Sequence, residues 1–176
     1  MSSNGEIRCD GFPGEQPTKE EILRFCQDSR GKVRTRTDYL LYPPTGRPLA
    51  RIRFGSSATM ESARAQQFAY ERGARTPKIY HAFENSRGRA YILDEYIEGV
   101  PATDWIKDNK GQLSRLAAEV SKELEKMIHF EVPPDATPGA VGGGVCMHGF
   151  FDDVTGAWRL YDSIEHLEKD INKACH

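Results

Sequence analysis

The sequence predicts an α+β domain built on a twisted, mostly antiparallel sheet of about four or five strands with helices packed against it. Three observations carry this. Short runs rich in β-branched and aromatic residues recur at Leu49–Phe54, Lys78–Phe83 and Arg89–Glu95. Strong turn residues separate them, Pro43-Pro44-Thr45-Gly46-Arg47-Pro48 before the first and Asn85-Ser86-Arg87-Gly88 between the last two, as hairpin connections require. Apolar residues then switch to helical spacing in Gln112–His129.

Thr18 and Glu21 open a helix as a capping box, in which each side chain satisfies a backbone amide of the first turn. Ile22, Leu23, Phe25 and Cys26 give that helix its apolar face, and Gly31 stops it. Lys32–Tyr42 reads as a strand with Arg30, Lys32, Arg34 and Arg36 as its solvated basic stripe. Leu49–Phe54 completes a hairpin with it. Thr59 or Ser57 caps a helix that runs to Arg72 and lies on one face of the sheet. Val100-Pro101 breaks the chain, and Thr103 caps a short helix containing Trp105 and Ile106. Leu113, Leu116, Ala117, Val120, Leu124, Met127 and Ile128 form the stripe of the clearest helix, Gln112–His129. Ile164, Leu167 and Ile171 mark a last helix behind a capping signal at Asp162–Glu165. These two helices are expected to close the other side of the sheet.

Residues 1–16, polar and rich in glycine, read as a flexible N-terminal tail, and 17–176 as a single domain. A chain of 176 residues buries roughly two-thirds of its unfolded surface. Its net charge of −2 gives no general pull toward nucleic acid or an anionic membrane, and no apolar run approaches a membrane span. Cys9, Cys26, Cys146 and Cys175 are scattered without CxxC spacing, which reads as free thiols in a reducing compartment, the cytoplasm by default.

The Pro/Gly-rich stretch from Glu131 to His148 is long for a connection and is expected to border the working site as a lid or binding loop, with Phe150 and Phe151 as its anchor and Cys146 and His148 at the groove mouth. Cys146, His148 and His129 lack the paired spacing of a structural zinc site, so no metal is expected. His81, between Tyr80 and Phe83, is either a core histidine or a residue lining a cleft.

From Leu49 to Gly99 the order of motifs resembles the N-terminal lobe of the aminoglycoside phosphotransferase and choline-kinase-like family, within the protein-kinase-like fold. The carriers are the strand Leu49–Gly55, the helix with an early acid at Met60-Glu61, the segment Thr76–Phe83, and Ala90–Gly99. The resemblance implies a kinase-N-lobe-like sheet, a reduced helical second lobe, and a single truncated kinase-like domain over 17–176. It places Arg53 where the family has a phosphate-contacting lysine, Glu61 where a helix glutamate orients that lysine, and Asp94, Glu95 and Tyr96 at the hinge that binds a base through backbone groups. An Arg53–Glu61 ion pair is therefore expected.

The family's His-Gly-Asp catalytic loop and downstream metal ligands, which phosphoryl transfer needs, find no match: His148-Gly149 is followed by Phe150-Phe151. Two functions follow. One is a kinase-like protein inactive in phosphotransfer that binds a small molecule, or a protein partner or second copy of itself, in the remnant cleft through Arg53, Glu95 and Tyr96. The other is a cofactor-free isomerase, cyclase or lyase acting on a small metabolite, with His81, Glu61, Asp94 and His148 as its acid–base groups. A phosphotransferase completed by another chain is the third.

Overall fold

The computed structural model describes residues 5–28, 38–42, 48–55, 58–133, 136–146, 157 and 159–174. The chain divides into two compact units, one of residues 4–130 and one of residues 131–176 with 1–3. The boundary falls where the Pro/Gly-rich stretch begins, whereas the sequence alone suggests one body over 17–176. Among the described residues no helix is long and apolar enough to cross a membrane.

The first unit contains β1 (Ile7–Arg8), α1 (Lys19–Asp28), β2 (Asp38–Leu41), β3 (Ala50–Phe54), α2 (Met60–Glu71), β4 (Ile79–Glu84), β5 (Ala90–Glu95), α3 (Ala102–Asp108) and α4 (Leu113–Ile128). Its five strands form one antiparallel sheet in the order β1-β4-β5-β3-β2. The α+β class and the antiparallel sheet are thus as the sequence predicts.

Register decides which side chains share a face, because strand residues alternate across the sheet. Ile52 stands opposite both Tyr39 and Leu93, and with Ala50, Tyr80, Phe83 and Tyr91 these pack under Ile22 and Cys26 of α1. The other face carries Ile79, Ala82, Ala90 and Ile92, packed with Met60 and Ala63 of α2. Small residues on β4, β5 and α2 let that helix lie close to the sheet. Aromatic rings stack along the α1 face, Tyr39 on Phe54 at 5.0 Å, Phe54 on Tyr91 at 5.9 Å and Tyr91 on Phe83 at 5.6 Å. Offset stacking of this kind adds to the burial of each ring.

The local signals work as chemistry requires. In α1, Thr18 N and Thr18 Oγ1 donate to Glu21 Oε2 at 2.8 and 2.9 Å and hold the Glu21 carboxyl below its ordinary range, while Glu21 N donates to Thr18 Oγ1 at 3.2 Å. In α2, Thr59 and Ser62 form the equivalent reciprocal pair. The β4–β5 turn is built on Asn85, and Gly88 supplies a φ of +66° that a side chain would oppose.

Four expectations need correction. The face opposite α2 is covered by α1, while α4 forms as expected but has no buried residue. Residues 5–16 are not a free tail: β1 pairs with β4, Cys9 N donates to Tyr80 O at 2.9 Å, and the Phe12 ring meets Tyr80 edge-on at 5.1 Å. The edge of β4 carries unpaired backbone groups, and this segment satisfies them. The α3 helix starts after Pro101 with no side-chain cap, so Thr103 lies inside it. In the second unit, Ser163 Oγ accepts from His166 N at 3.3 Å and serves as the cap of α5 (Ile164–Ala174). The basic stripe, the turn 43–47, Gly31, Ser57, Phe150 and Phe151 lie outside the described residues.

Burial pushes the Cys26 thiol from 9.0 up to about 12. A raised thiol pKa contributes stability that is fully present below the unfolded value and lost as the pH climbs through the folded one, so the window of loss runs from about pH 9 toward 12. At about pH 8 Cys26 should react with a thiol reagent only through unfolding, since the thiolate is the nucleophile. Site-resolved labelling along a urea titration should follow the unfolding curve at Cys26. Labelling at the denatured rate in the folded protein would remove Cys26 from the core.

Candidate functional site

In the first unit, two arginines surround a single buried carboxylate. Asp94, near the end of β5, is 0% exposed. Arg51 of β3 stands directly opposite it in the ladder, and Arg53 follows two residues on along the same face. Arg51 Nε donates to Asp94 Oδ1 at 3.0 Å and its Nη2 to Oδ2 at 3.0 Å, a bidentate pair. Arg53 Nε donates to Asp94 Oδ2 at 2.8 Å, and its Nη2 to Gln66 Oε1 of α2 at 2.6 Å. Gln66 Nε2 in turn donates to the carbonyl of Pro77 at 2.7 Å. Bonds to Asp94 hold the Arg51 guanidinium even more firmly protonated than usual. A carboxylate taken out of water is tolerable only with such a full set of donors.

Beside this cluster lies a groove of about 440 Å³, whose lining includes Asp38, Arg51, Pro77, Glu95, Tyr96 and Val100. Glu95 is fixed by two bonds to Lys78: its N–H donates to the Lys78 carbonyl at 2.8 Å and its Oε2 accepts from Lys78 N at 3.2 Å. Beyond it, Tyr96–Val100 belongs to no helix or strand, and Ile97 to Val100 are exposed.

The residues singled out from the sequence do not converge. Arg53, Asp94, Glu95 and Tyr96 gather at the cluster and its groove. The expected pairing of Arg53 with Glu61 is replaced by pairing with Asp94 and Gln66. Glu61 instead accepts from Arg64 Nη2 at 3.2 Å, with half of its side chain in water. The reason is helical phase: Met60, Ala63 and Gln66 form the inward row of α2, and Glu61 sits one position off it. Glu61 lines a separate groove with Thr59, Arg87 and Ala90.

His81 is on the other face of the sheet, opposite Leu93 and beside Phe83 with ring centroids 4.9 Å apart. Its Nε2 bonds Glu6 Oε1 at 2.5 Å, and its buried Nδ1 has no hydrogen-bond partner. The sheet therefore separates His81 from Asp94, and no one pocket holds both as an acid–base couple. His148 lies outside the described residues, as does the end of the loop it was expected to mark. Among the described residues no group of three or more His, Cys, Asp or Glu is placed to hold a metal ion.

Arg51, Gln66 and Asp38 are the members that sequence reasoning misses. Arg51 carries a readable signal, since Arg51-Ile52-Arg53 in a strand must put both guanidinium groups on one side. Gln66 carries none until α2 is phased against the sheet.

Among the described residues, the groove sets Arg51 beside Asp38 and Glu95, while Arg51 and Arg53 share the one carboxylate of Asp94. No protein-family model, curated protein or solved structure matches the chain.

The cluster makes a stability prediction. Asp94→Asn should cost about 3 kcal/mol, the lower end of the range for breaking a buried pair, because Arg51 keeps a third of its side chain in water. Arg53→Met combined with Asp94→Leu should cost less than the sum of the single changes, and Glu61→Ala should stay within about 0.5 kcal/mol of the parent. Urea unfolding checks all of these. An additive Arg53–Asp94 pair, or a Glu61 effect as large as that of Asp94, would contradict the geometry.

Proposed function

We propose that the first unit is a kinase-N-lobe-like binding module, inactive in phosphotransfer, that takes a small molecule in the groove beside Glu95–Pro101. The observation that carries this reading is the commitment of Arg53. At the position the resemblance assigns to a phosphate-contacting cation, the guanidinium is held by Asp94 and Gln66. The order of the elements supports the kinase-like part: strand β3, helix α2 across the sheet, strands β4 and β5, then an extended segment that leaves β5 at Glu95.

The groove suits a compact ligand read by backbone groups. Tyr96 and Val100 offer apolar surface, the segment Tyr96–Gly99 offers amides and carbonyls, and Glu95 and Asp38 set a neutral-to-acidic rim. A neutral or weakly basic molecule with adjacent donors and acceptors fits such a lining better than a phosphorylated one, since most small-molecule sites combine apolar walls with a few placed polar groups.

Ligand-observed NMR screening of uncharged and basic heterocycles should yield hits that shift the amides of Tyr96, Ile97 and Gly99. The purified chain with ATP, magnesium and a panel of hydroxyl and amine acceptors should form no phosphorylated product. Turnover that Arg53→Ala abolishes would overturn the reading, and so would hits that leave residues 95–101 undisturbed.

A further inference from the structure

We infer that the first unit carries a second binding site, for a small polyanion, on the α1 face of the sheet. A groove of about 730 Å³ there, between α1 and the β4–β5 turn, includes Lys19, Leu23, Gln27, Arg87, Arg89 and Tyr91 in its lining. Among the described residues its charges are three cations, Lys19, Arg87 and Arg89, against one carboxylate, Glu84. This local excess stands in a chain whose net charge is −2, and it contrasts with the first groove, where Arg51 stands beside Asp38 and Glu95.

The cations are set in place by the fold. Lys19 Nζ donates to the carbonyl of Glu84 at 2.6 Å and lies 5.0 Å from the centre of the Phe83 ring. Arg87 and Arg89 stand on a turn braced by Asn85, whose Oδ1 accepts from both Arg87 N and Arg89 N at 3.0 Å. Asn85 N closes the turn onto Arg89 O at 2.9 Å, and Gly88 N donates back to Asn85 O at 3.0 Å. The backbone that carries the two arginines is therefore rigid, while their side chains are exposed. Neither guanidinium forms a hydrogen bond or ion pair with a described residue.

Two guanidinium forks and an ammonium around one concavity match clustered anionic oxygens. Each fork can take two oxygens of a phosphate or carboxylate, and the concave shape concentrates the field. Leu23 and the edge of the Tyr91 ring supply an apolar floor, with the ring held between Phe54 and Phe83. The ligand class is a small molecule bearing two or more phosphate or carboxylate groups. It is bound without metal by arginine and lysine alone.

Calorimetry with inorganic tripolyphosphate and with citrate, at low ionic strength and without divalent ions, tests the site. Both should bind once per chain and weaken steeply with added salt, as screened ion pairs do. Amide shifts should centre on Arg87–Arg89 and the start of α1. The charge-reversed R87E/R89E should abolish binding, and the milder R87Q/R89Q should weaken it at least about tenfold with an unchanged melting temperature. K122E/K126E, with the same change of net charge on the remote α4, should bind within about twofold of the parent. The inference fails if neither anion binds saturably, if R87Q/R89Q binds like the parent, or if K122E/K126E loses affinity equally. None of these outcomes depends on the groove at Glu95–Pro101, so each reading can fail alone.

Discussion

The carboxylate of Asp94 has no contact with water, and much of the first unit is arranged around that fact. An ionised acid in the interior must find donors from its own chain, and a sheet can bring them only from the neighbouring strand or from a helix lying across it. Both are used here. Arg51 reaches Asp94 straight across the β3–β5 ladder, Arg53 reaches it diagonally, and Gln66 ties Arg53 to α2 and to the Pro77 carbonyl at the entry to β4. One buried charge thus fixes the register of the central strands, the phase of α2 on the sheet and the path of the chain into β4. Slipping β3 by a single residue against β5 would turn both arginines to the α1 face and leave the acid alone.

The same network determines what the adjoining groove can recognise. A guanidinium bonded through Nε and Nη2, as Arg53 is, is fixed in place by its partners. Arginine suits this position for a geometric reason. An ammonium is a single point that can approach one acid or one phosphate, whereas the planar fork of Arg53 spans Asp94 and Gln66 at once and is fixed by both. The position keeps its charge and loses its freedom to use it.

Much of the fold could be read from the sequence, and the part that could not is informative. The capping residues Thr18 and Thr59, the turn at Asn85–Gly88 and the strands around Ile52, Ile79 and Ile92 act locally, so the sequence displays them directly. The pairing of Arg53 with Asp94 instead of Glu61 is a long-range choice: the residues of the true pair are 41 apart in the chain, and only the β3–β5 register brings them together. The β1 strand escaped notice for a related reason. Two residues, Ile7 and Arg8, show no periodicity of their own, and they form a strand because the exposed edge of β4 templates them. The role of α1 was misassigned to α4 because amphipathic spacing reveals that a helix has an apolar face and says nothing about which surface that face meets. Leu113, Val120 and Leu124 form a regular stripe and are each half exposed or more.

The division of the sheet into two chemically different faces explains why a pool of acids and histidines in the sequence does not become one active site. On the α2 side, small apolar residues admit the helix closely, and the buried carboxylate of Asp94 holds the strands. On the α1 side, stacked rings fill the interior and leave His81 bonded to Glu6 at the sheet edge. A sheet covered by a helix on each face keeps the two sets apart: Glu95 stands where the chain leaves the ladder at the end of β5, and Arg87 and Arg89 project at the β4–β5 turn. Among the described residues, the first of these rims sets Arg51 beside Asp38 and Glu95, and the second sets Lys19, Arg87 and Arg89 beside Glu84.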